Sequence, residues 1–373
     1  MKVEFFLHNL GAEEKESILQ VLDSVFLTTG EATYEFERRF SEYLGVPHTV
    51  GLMSATAALQ LALLAFDIGE GDEVITTPMT FIATANAILH AGATPVFVDV
   101  EPGTGNLDAQ RVEAAITPRT KAILPVHLYG QMCDMRRLRA IADKHKLRLI
   151  EDSAHCIEAV RDDFRPGQLG DAACFSFYAT KNITCGEGGA VTVHTTEKAD
   201  LLRKLSLHGM TKNAADRYRG AYQHWDMDLL GWKCNLSNIL AALLISQVPK
   251  MEAWCARREA ISRRYEAAFA QMPGVNFPRV VDGTQSARHL FTIWVDSAKR
   301  DEILGRIQKL GVSVAVNYRA IHLLTYYAQR YGFKGGEFPV AEKIGQSTIT
   351  LPLYPRLTDE QVAYVIDSVR QSL

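Results

Sequence analysis

From about residue 49 onward the chain alternates short β-rich runs with stretches of helical spacing, and this alternation limits its fold more than any other feature. Residues 49–53 are strand-like and run into an apolar helix over 57–66. A Gly71-Asp72 turn leads to a strand over 73–76, and a helix follows over 82–91. Further strands are expected over 94–100, 121–128 and 147–151, with helical spacing over 107–117 and 134–146 between them. Strands separated by helices of this length form βαβ units, and so a largely parallel sheet covered on both faces. Beyond residue 196 the pattern changes. Residues 238–270 read as one long helix kinked near Pro249, with a first seam of Ile239, Leu243 and Val248 and a second of Ile261, Tyr265 and Phe269. After Pro273-Gly274, strands over 290–295 and 348–353 alternate with amphipathic helices over 301–310 and 359–369. The expected organisation is a large domain over 1–250, including an N-terminal segment 1–30, and a smaller α/β domain over 251–373. The helix over 238–270 bridges them.

Length and charge narrow the function classes. A chain of 373 residues exceeds the roughly 250–300 residues at which a single core stops growing. With 40 basic and 43 acidic residues, the net charge of −3 lacks the basic excess that nucleic-acid binding needs. There is no run of 18 apolar residues and no leader-like N-terminus, so neither a membrane span nor export is expected. The six cysteines form no CxxC pair or short disulfide framework, which favours a reducing, cytoplasmic setting. The eleven histidines are dispersed without an HExxH-type cluster, so no metal site is expected.

In open parallel sheets the ligand site lies outside the carboxyl ends of the strands. Four such places carry suggestive chemistry. Ser54-Ala55-Thr56 joins a strand to a helix, where unpaired N–H groups and the helix dipole favour a phosphate; simple N-capping is the plainer reading. Glu151-Asp152-Ser153-Ala154-His155 closes an apolar run, and a buried carboxylate there needs a partner such as a protonated ring nitrogen. An acid capping the next turn, with a structural His155, is the alternative. Phe175–Asn182 delivers Lys181 from a strand onto a short loop followed by Gly186-Glu187-Gly188-Gly189. Partial burial frees the amine of such a lysine for Schiff-base chemistry. Thr80-Phe81 follows the strand at 73–76, where a flat ring could stack on a flat cofactor or simply serve the core.

The order of these segments resembles the fold-type I aminotransferases that use pyridoxal 5'-phosphate (PLP), specifically the DegT/StrS sugar aminotransferase family. The resemblance runs through Thr28-Thr29-Gly30, Gly71–Thr76, Val126–Gln131, Glu151-Asp152, Phe175–Phe177, Lys181-Asn182, Gly186–Gly189, His208-Gly209-Met210 and Leu351–Pro355. It implies a large, mostly parallel sheet of seven-stranded type covered by helices, plus the smaller C-terminal domain. It further implies that Lys181 bonds to the cofactor and shuttles the proton, and that Asp152 holds the pyridinium nitrogen. Phe81 would stack on the ring, His155 would sit near its phenolic oxygen, and Ser54, Ala55, Thr56 and Ser176 would hold the phosphate. Family active sites lie between two copies of the chain, so Lys233 and Asn235 are expected to enter from the partner of a homodimer. Thr28, Thr29, Tyr178, Tyr318, Arg319 and His322 are the candidate substrate contacts.

Three positions depart from the commonest family pattern. Ala55 stands where Gly is usual, Lys233 and Asn235 replace Asn and Arg, and Asn317-Tyr318 replaces a His-Tyr pair. The first two variants, with His155 and Lys181–Cys185, look closest to the branch that makes UDP-4-amino-4-deoxy-L-arabinose. The expected reaction is transfer of the amino group of L-glutamate to the C4 keto group of a nucleotide-linked keto sugar. A 3-keto sugar acceptor and a sugar dehydratase of the same fold are the rivals. The dehydratases carry histidine where Lys181 stands, which counts against that alternative.

Overall fold

The computed structural model describes residues 1–211 and 224–373. Seven strands form one sheet: β1 (His48–Leu52), β2 (Glu73–Thr76), β3 (Thr94–Phe97), β4 (Thr120–Ile123), β5 (Arg148–Asp152), β6 (Ala172–Ser176) and β7 (Gly189–Val193). Their spatial order is β1-β7-β6-β5-β4-β2-β3. Only β7 runs against its neighbours β1 and β6; the remaining pairs are parallel. The ends of β1, β2, β5 and β6 therefore open on one edge of the sheet, and β7 begins there.

The helix Ala55–Ala65 shows why the sheet is covered. Its residues ATAALQLALLA are apolar almost all round, and Ala58, Leu59, Leu61, Ala62, Leu63 and Ala65 are buried against Val50, Cys174 and Val191 of the sheet. On the other face Phe36, Phe40, Phe175 and Phe177 pack edge to face, with ring centroids 5.1–5.4 Å apart.

Strands β3 and β4 are shorter than the sequence suggests. Beyond Ile123 the chain leaves the ladder; Val126 makes one isolated bridge to Asp152, and Leu128–Gly130 is a 3-10 turn in which Tyr129 takes a left-handed conformation (φ 59°). The expected helix over 107–117 is one turn, Ala109–Val112, continued by the 3-10 turn Glu113–Ala115.

The expected long helix is two helices, Asn238–Ile245 and Met251–Phe269, joined by a 3-10 turn Val248–Lys250 that contains Pro249. Its second seam is buried as read, and so is Val248 of the first, but the helix is rotated at Ile239 and Leu243. Asn238, Ala241, Ala242 and Leu244 face inward, while Ile239 and Leu243 are only partly covered. A polar anchor explains the rotation. The Asn238 side chain accepts from the Thr33 N–H and donates to the Phe26 carbonyl, which fixes the docked face. By length and composition Asn238–Phe269 could cross a membrane. Its interruption, and the burial of its residues in two separate cores, give it a different place.

Those cores meet along this element. The C-terminal core gathers Ile261, Tyr265 and Phe269 with Ile293 and Ile349 of the antiparallel pair β8 (Phe291–Trp294) and β9 (Thr348–Leu351). The helices Arg300–Lys309 and Asp359–Ser372 close it. Val3 is also in this core, its N–H donating to the Gly311 carbonyl at 2.9 Å. Val3 thus packs into the C-terminal core, while the helix Ala12–Leu22 of the same N-terminal segment packs against Asn238–Ile245.

Candidate active site

The strand ends enclose a pocket of about 550 Å³ lined by Ser54, Ala55, Thr56, Phe81, Asp152, His155, Ser176, Tyr178, Lys181 and Tyr318. Ten residues singled out in the sequence meet in this one place, together with Phe5, Thr84, Gly188 and Asn317.

One wall is the N-terminus of the helix Ala55–Ala65. The Ser54 hydroxyl accepts from the Ala57 N–H at 3.1 Å and so caps the helix. Ala55 and Thr56 line the pocket, and as the first residues of the helix their N–H groups have no intrahelical acceptor. The start of β7 lies directly against this turn. A Cβ on Gly189 would come within 2.5 Å of the Ala55 nitrogen and 2.6 Å of the Ser54 oxygen, so only glycine allows the approach. Ser176, at the end of β6, adds a hydroxyl beside them.

Asp152 ends β5 at the pocket floor and is 5% exposed. Its carboxylate accepts from the Thr84 hydroxyl at 2.7 Å and the Ala154 N–H at 3.1 Å. Among the described residues it forms no ion pair with a cation. Burial raises its pKa, with the two hydrogen bonds acting the other way. A buried carboxylate so placed calls for a cationic ligand group.

Lys181 projects from the turn after β6. Removal from water pulls its amine down from 10.5 to about 8, opposed by the Asp152 charge. At pH 7 roughly a tenth is therefore the nucleophilic free amine, against well under a thousandth at the ordinary value. Its Nζ lies 3.4 Å from Nε2 of His289. His155 is buried beside them, with Nε2 3.0 Å from the Tyr318 hydroxyl and Nδ1 accepting from the Tyr129 N–H at 3.4 Å. Burial, then the nearby Lys181, holds the His155 pKa well below its usual range, so the ring is neutral. Phe81, half exposed, and Tyr318 flank the opening with ring centroids 5.8 Å apart.

Six candidates lie elsewhere. Thr28, Thr29, Lys233 and Asn235 form a cluster of their own outside the pocket. Asn235 Nδ2 donates to the Thr29 hydroxyl at 2.6 Å, and the Lys233 ammonium donates to Asn235 Oδ1. Arg319 is exposed and does not line the pocket. His322 is a correction to the sequence reading. The 3-10 turn Ile321–Leu323 turns it inward, where it is fully buried between Phe333 and Phe338 with Nε2 3.0 Å from Glu342. It cannot reach a substrate there.

Thr84 and His289 were missed, and Asn182 was read only as part of the Lys181-Asn182 motif, with no role of its own. Thr84 stands one helical turn after Thr80 and bonds its hydroxyl at 2.8 Å. That spacing is the one signal that could have pointed to it. His289 has none, because it is delivered from the far side of the sequence. The segment Ala287–His289 lies against Gly130, whose φ of 102° and missing side chain let the backbones approach.

The residues present fit PLP by their chemistry. Helix-end amides and hydroxyls suit a phosphate, a buried unpaired carboxylate suits a pyridinium, and an amine of depressed pKa suits a carbonyl carbon. Residues 8–370 match the DegT/DnrJ/EryC1/StrS aminotransferase family. The chain belongs to that family. It is 42% identical over 368 residues to the spore coat polysaccharide biosynthesis protein SpsC of Bacillus subtilis, covering 97% of this chain and 94% of SpsC. The PLP form of Spr1654 from Streptococcus pneumoniae superposes with a TM-score of 0.93 at 33% identity, over 100% of both chains. PseC of Helicobacter pylori, an aminotransferase of pseudoaminic acid biosynthesis, gives a TM-score of 0.93 at 30% identity, over 100% of this chain and 99% of PseC. The protein is thus a PLP-dependent aminotransferase of the DegT/DnrJ/EryC1/StrS family, and its sheet and helices are those of the fold-type I enzymes.

Proposed function

We propose that this family member moves an amino group from L-glutamate to the C4 keto group of a nucleotide-linked keto sugar, with Lys181 as the cofactor lysine. The observation that carries the reading is the Lys181 amine, depressed to about 8 and sharing its pocket with a buried carboxylate that forms no ion pair among the described residues. Support for a sugar acceptor comes from the relatives, since SpsC and PseC are both named for sugar-polymer or amino-sugar biosynthesis.

Bound in the pocket, PLP supplies an electrophilic carbon for amines and a ring that takes up the electrons released when the Cα–H bond breaks. The chain does the rest. Asp152, fixed by Thr84 and Ala154, keeps a proton on the ring nitrogen by offering it the charge that burial otherwise penalises. Lys181, a neutral amine when it is not bonded to the cofactor, would be the base that holds and moves the substrate Cα proton at the pocket floor. Helix-end amides and Ser176 bind the phosphate. Phe81, His155 and Tyr318 line the pocket and would wall the ring.

Two copies complete the site in this reading. The Thr28, Thr29, Lys233 and Asn235 cluster lies among exposed apolar residues of the same two segments, including Val25 (89% exposed) and Leu230 (76%). A second copy would cover them. All six cysteines are buried free thiols, in keeping with a reducing cytoplasm.

The test is the visible spectrum of the purified protein before and after L-glutamate. A band of lysine-bound cofactor that glutamate converts to the amine form supports both cofactor lysine and donor. The band should be absent in Lys181→Ala. A band that persists in Lys181→Ala, or that glutamate leaves unchanged, overturns the corresponding half of the reading. Turnover of plain keto acids but not of nucleotide-linked keto sugars removes the acceptor.

A further inference from the structure

Behind Lys181 lies a buried polar chain for which the reaction, as usually drawn, has no use. His289 Nε2 faces the lysine amine at 3.4 Å. Which ring nitrogen carries the proton is decided one step back. Asn182 Nδ2 lies 2.7 Å from Glu158 Oε2 and 3.1 Å from the Ala287 carbonyl. Glu158 forms an ion pair with Arg258, whose Nη2 donates to Oε1 at 2.6 Å, and both side chains are buried. Two pure acceptors therefore fix the amide with its NH₂ toward them. Its oxygen is left to face His289 Nδ1 at 3.1 Å. An amide oxygen only accepts, so Nδ1 carries the proton and Nε2 presents a lone pair to Lys181.

We propose that His289 is a positioning residue that accepts a hydrogen bond from the Lys181 amine and holds it at the pocket floor whenever the lysine is not bonded to the cofactor. Asn182, Glu158 and Arg258 lock it in the accepting tautomer. The inference rests on Lys181 being the cofactor lysine and adds how the freed amine is kept aimed. The neighbours agree with the assignment. Burial, Lys181, the ring of His155 at 4.4 Å and Arg258 all oppose a charge on His289, while Asp152 faces the lysine from the opposite wall. A protonated or Nε2–H imidazole would set donor against donor while the lysine is an ammonium, and would occupy the lone pair the lysine needs as a base once it is neutral.

A purely structural role makes the opposite prediction, because the same chain could simply stitch residues 287–289 to the helix Met251–Phe269. Two variants of the full-length, PLP-loaded enzyme separate them. His289→Asn keeps a donor near the Nδ1 position and so keeps the bond to Asn182, but has nothing to reach Lys181. His289→Gln places its amide oxygen near the Nε2 position and can still accept. Thermal melts monitor folding, and single turnovers with L-glutamate carrying hydrogen or deuterium at Cα monitor proton transfer. The expected result is a loss of about tenfold in His289→Asn, the worth of one hydrogen bond in the rate-limiting barrier. Its isotope effect should rise while KM for glutamate is unchanged, and His289→Gln should recover most of the rate. Without cofactor, the pH midpoint for covalent labelling of Lys181 should fall in His289→Asn and return in His289→Gln. Equal rates, isotope effects and midpoints in the two variants, or a better rate in His289→Asn, overturn the proposal. Wild-type protein that takes up no PLP at Lys181 instead overturns the parent reading, and the two failures are told apart in the same preparation.

Discussion

Gly189 offers the most direct test of how the phosphate cradle is built, because it is the point where two strands and a helix end converge. In Gly189→Ala the new methyl would lie 2.5 Å from the Ala55 nitrogen and 2.6 Å from the Ser54 oxygen. Non-bonded contacts settle near 3.5–4.0 Å, so about 1 Å must open between β7 and the turn. The obstacles are backbone atoms, and no side chain can swing away. Overpacking of this kind costs about 1–3 kcal/mol, and the rigid neighbours place it toward the upper end. The displacement falls on the first amides of the helix Ala55–Ala65. If one amide contact to the phosphate is lost, PLP affinity drops by about 1–3 kcal/mol, or roughly 5- to 150-fold. Denaturant unfolding without cofactor reads the first term, and titration with PLP against the visible band reads the second. A Gly189→Ala protein with wild-type stability and wild-type PLP affinity would refute the argument. Lost stability with unchanged affinity would show that the turn does not hold the phosphate.

Three further outcomes follow from the same geometry. In the cofactor-free protein burial pulls Lys181 down to about 8, against 10.5 in the unfolded chain, so the folded state resists its protonation; Lys181→Met should therefore stabilise by about 3 kcal/mol below pH 8, an advantage that fades as the pH rises from 8 toward 10.5 in pH-dependent melts. Arg258→Met strands the buried Glu158 carboxylate, which it meets at 2.6 Å, and should cost about 3–5 kcal/mol in denaturant unfolding; a loss below 1 kcal/mol would mean the pair is not what orders this region. Mixing Lys181→Ala with Asn235→Ala protein after subunit exchange should restore about a quarter of wild-type activity, because half the dimers are mixed and each has one intact site. Persistent inactivity despite exchange would place Lys233 and Asn235 outside the partner's site.

The parts of the site legible in the sequence are those that each strand end announces for itself. Lys181 and Asp152 follow runs whose apolar residues could only be sheet interior, so a charge at the end of each had to meet something special. Ser54 to Thr56 was readable for the same reason, although the structure gives the Ser54 hydroxyl to capping. His322 was misread because position in a motif says nothing about which way a 3-10 turn points its side chain. The seam at Ile239 and Leu243 was misread because periodicity counts apolar residues, and the docked face is set by one asparagine.

His289 marks where that kind of legibility ends. It meets Lys181 across 108 residues of sequence, brought in by a glycine at 130 that belongs to neither segment. No period or local motif encodes such a meeting. The depressed pKa of Lys181 is equally non-local, since burial by several segments sets it and an aspartate from another strand opposes it. A strand end can declare that a lysine is present. Whether that lysine is a nucleophile depends on its burial, and in which direction its amine is held rests, in the proposal above, on a buried arginine, a glutamate and an amide that individually look like ordinary core polar residues. The tautomer of one imidazole is then the most sequence-remote property of the site, and the Asn and Gln variants at 289 ask whether catalysis depends on it.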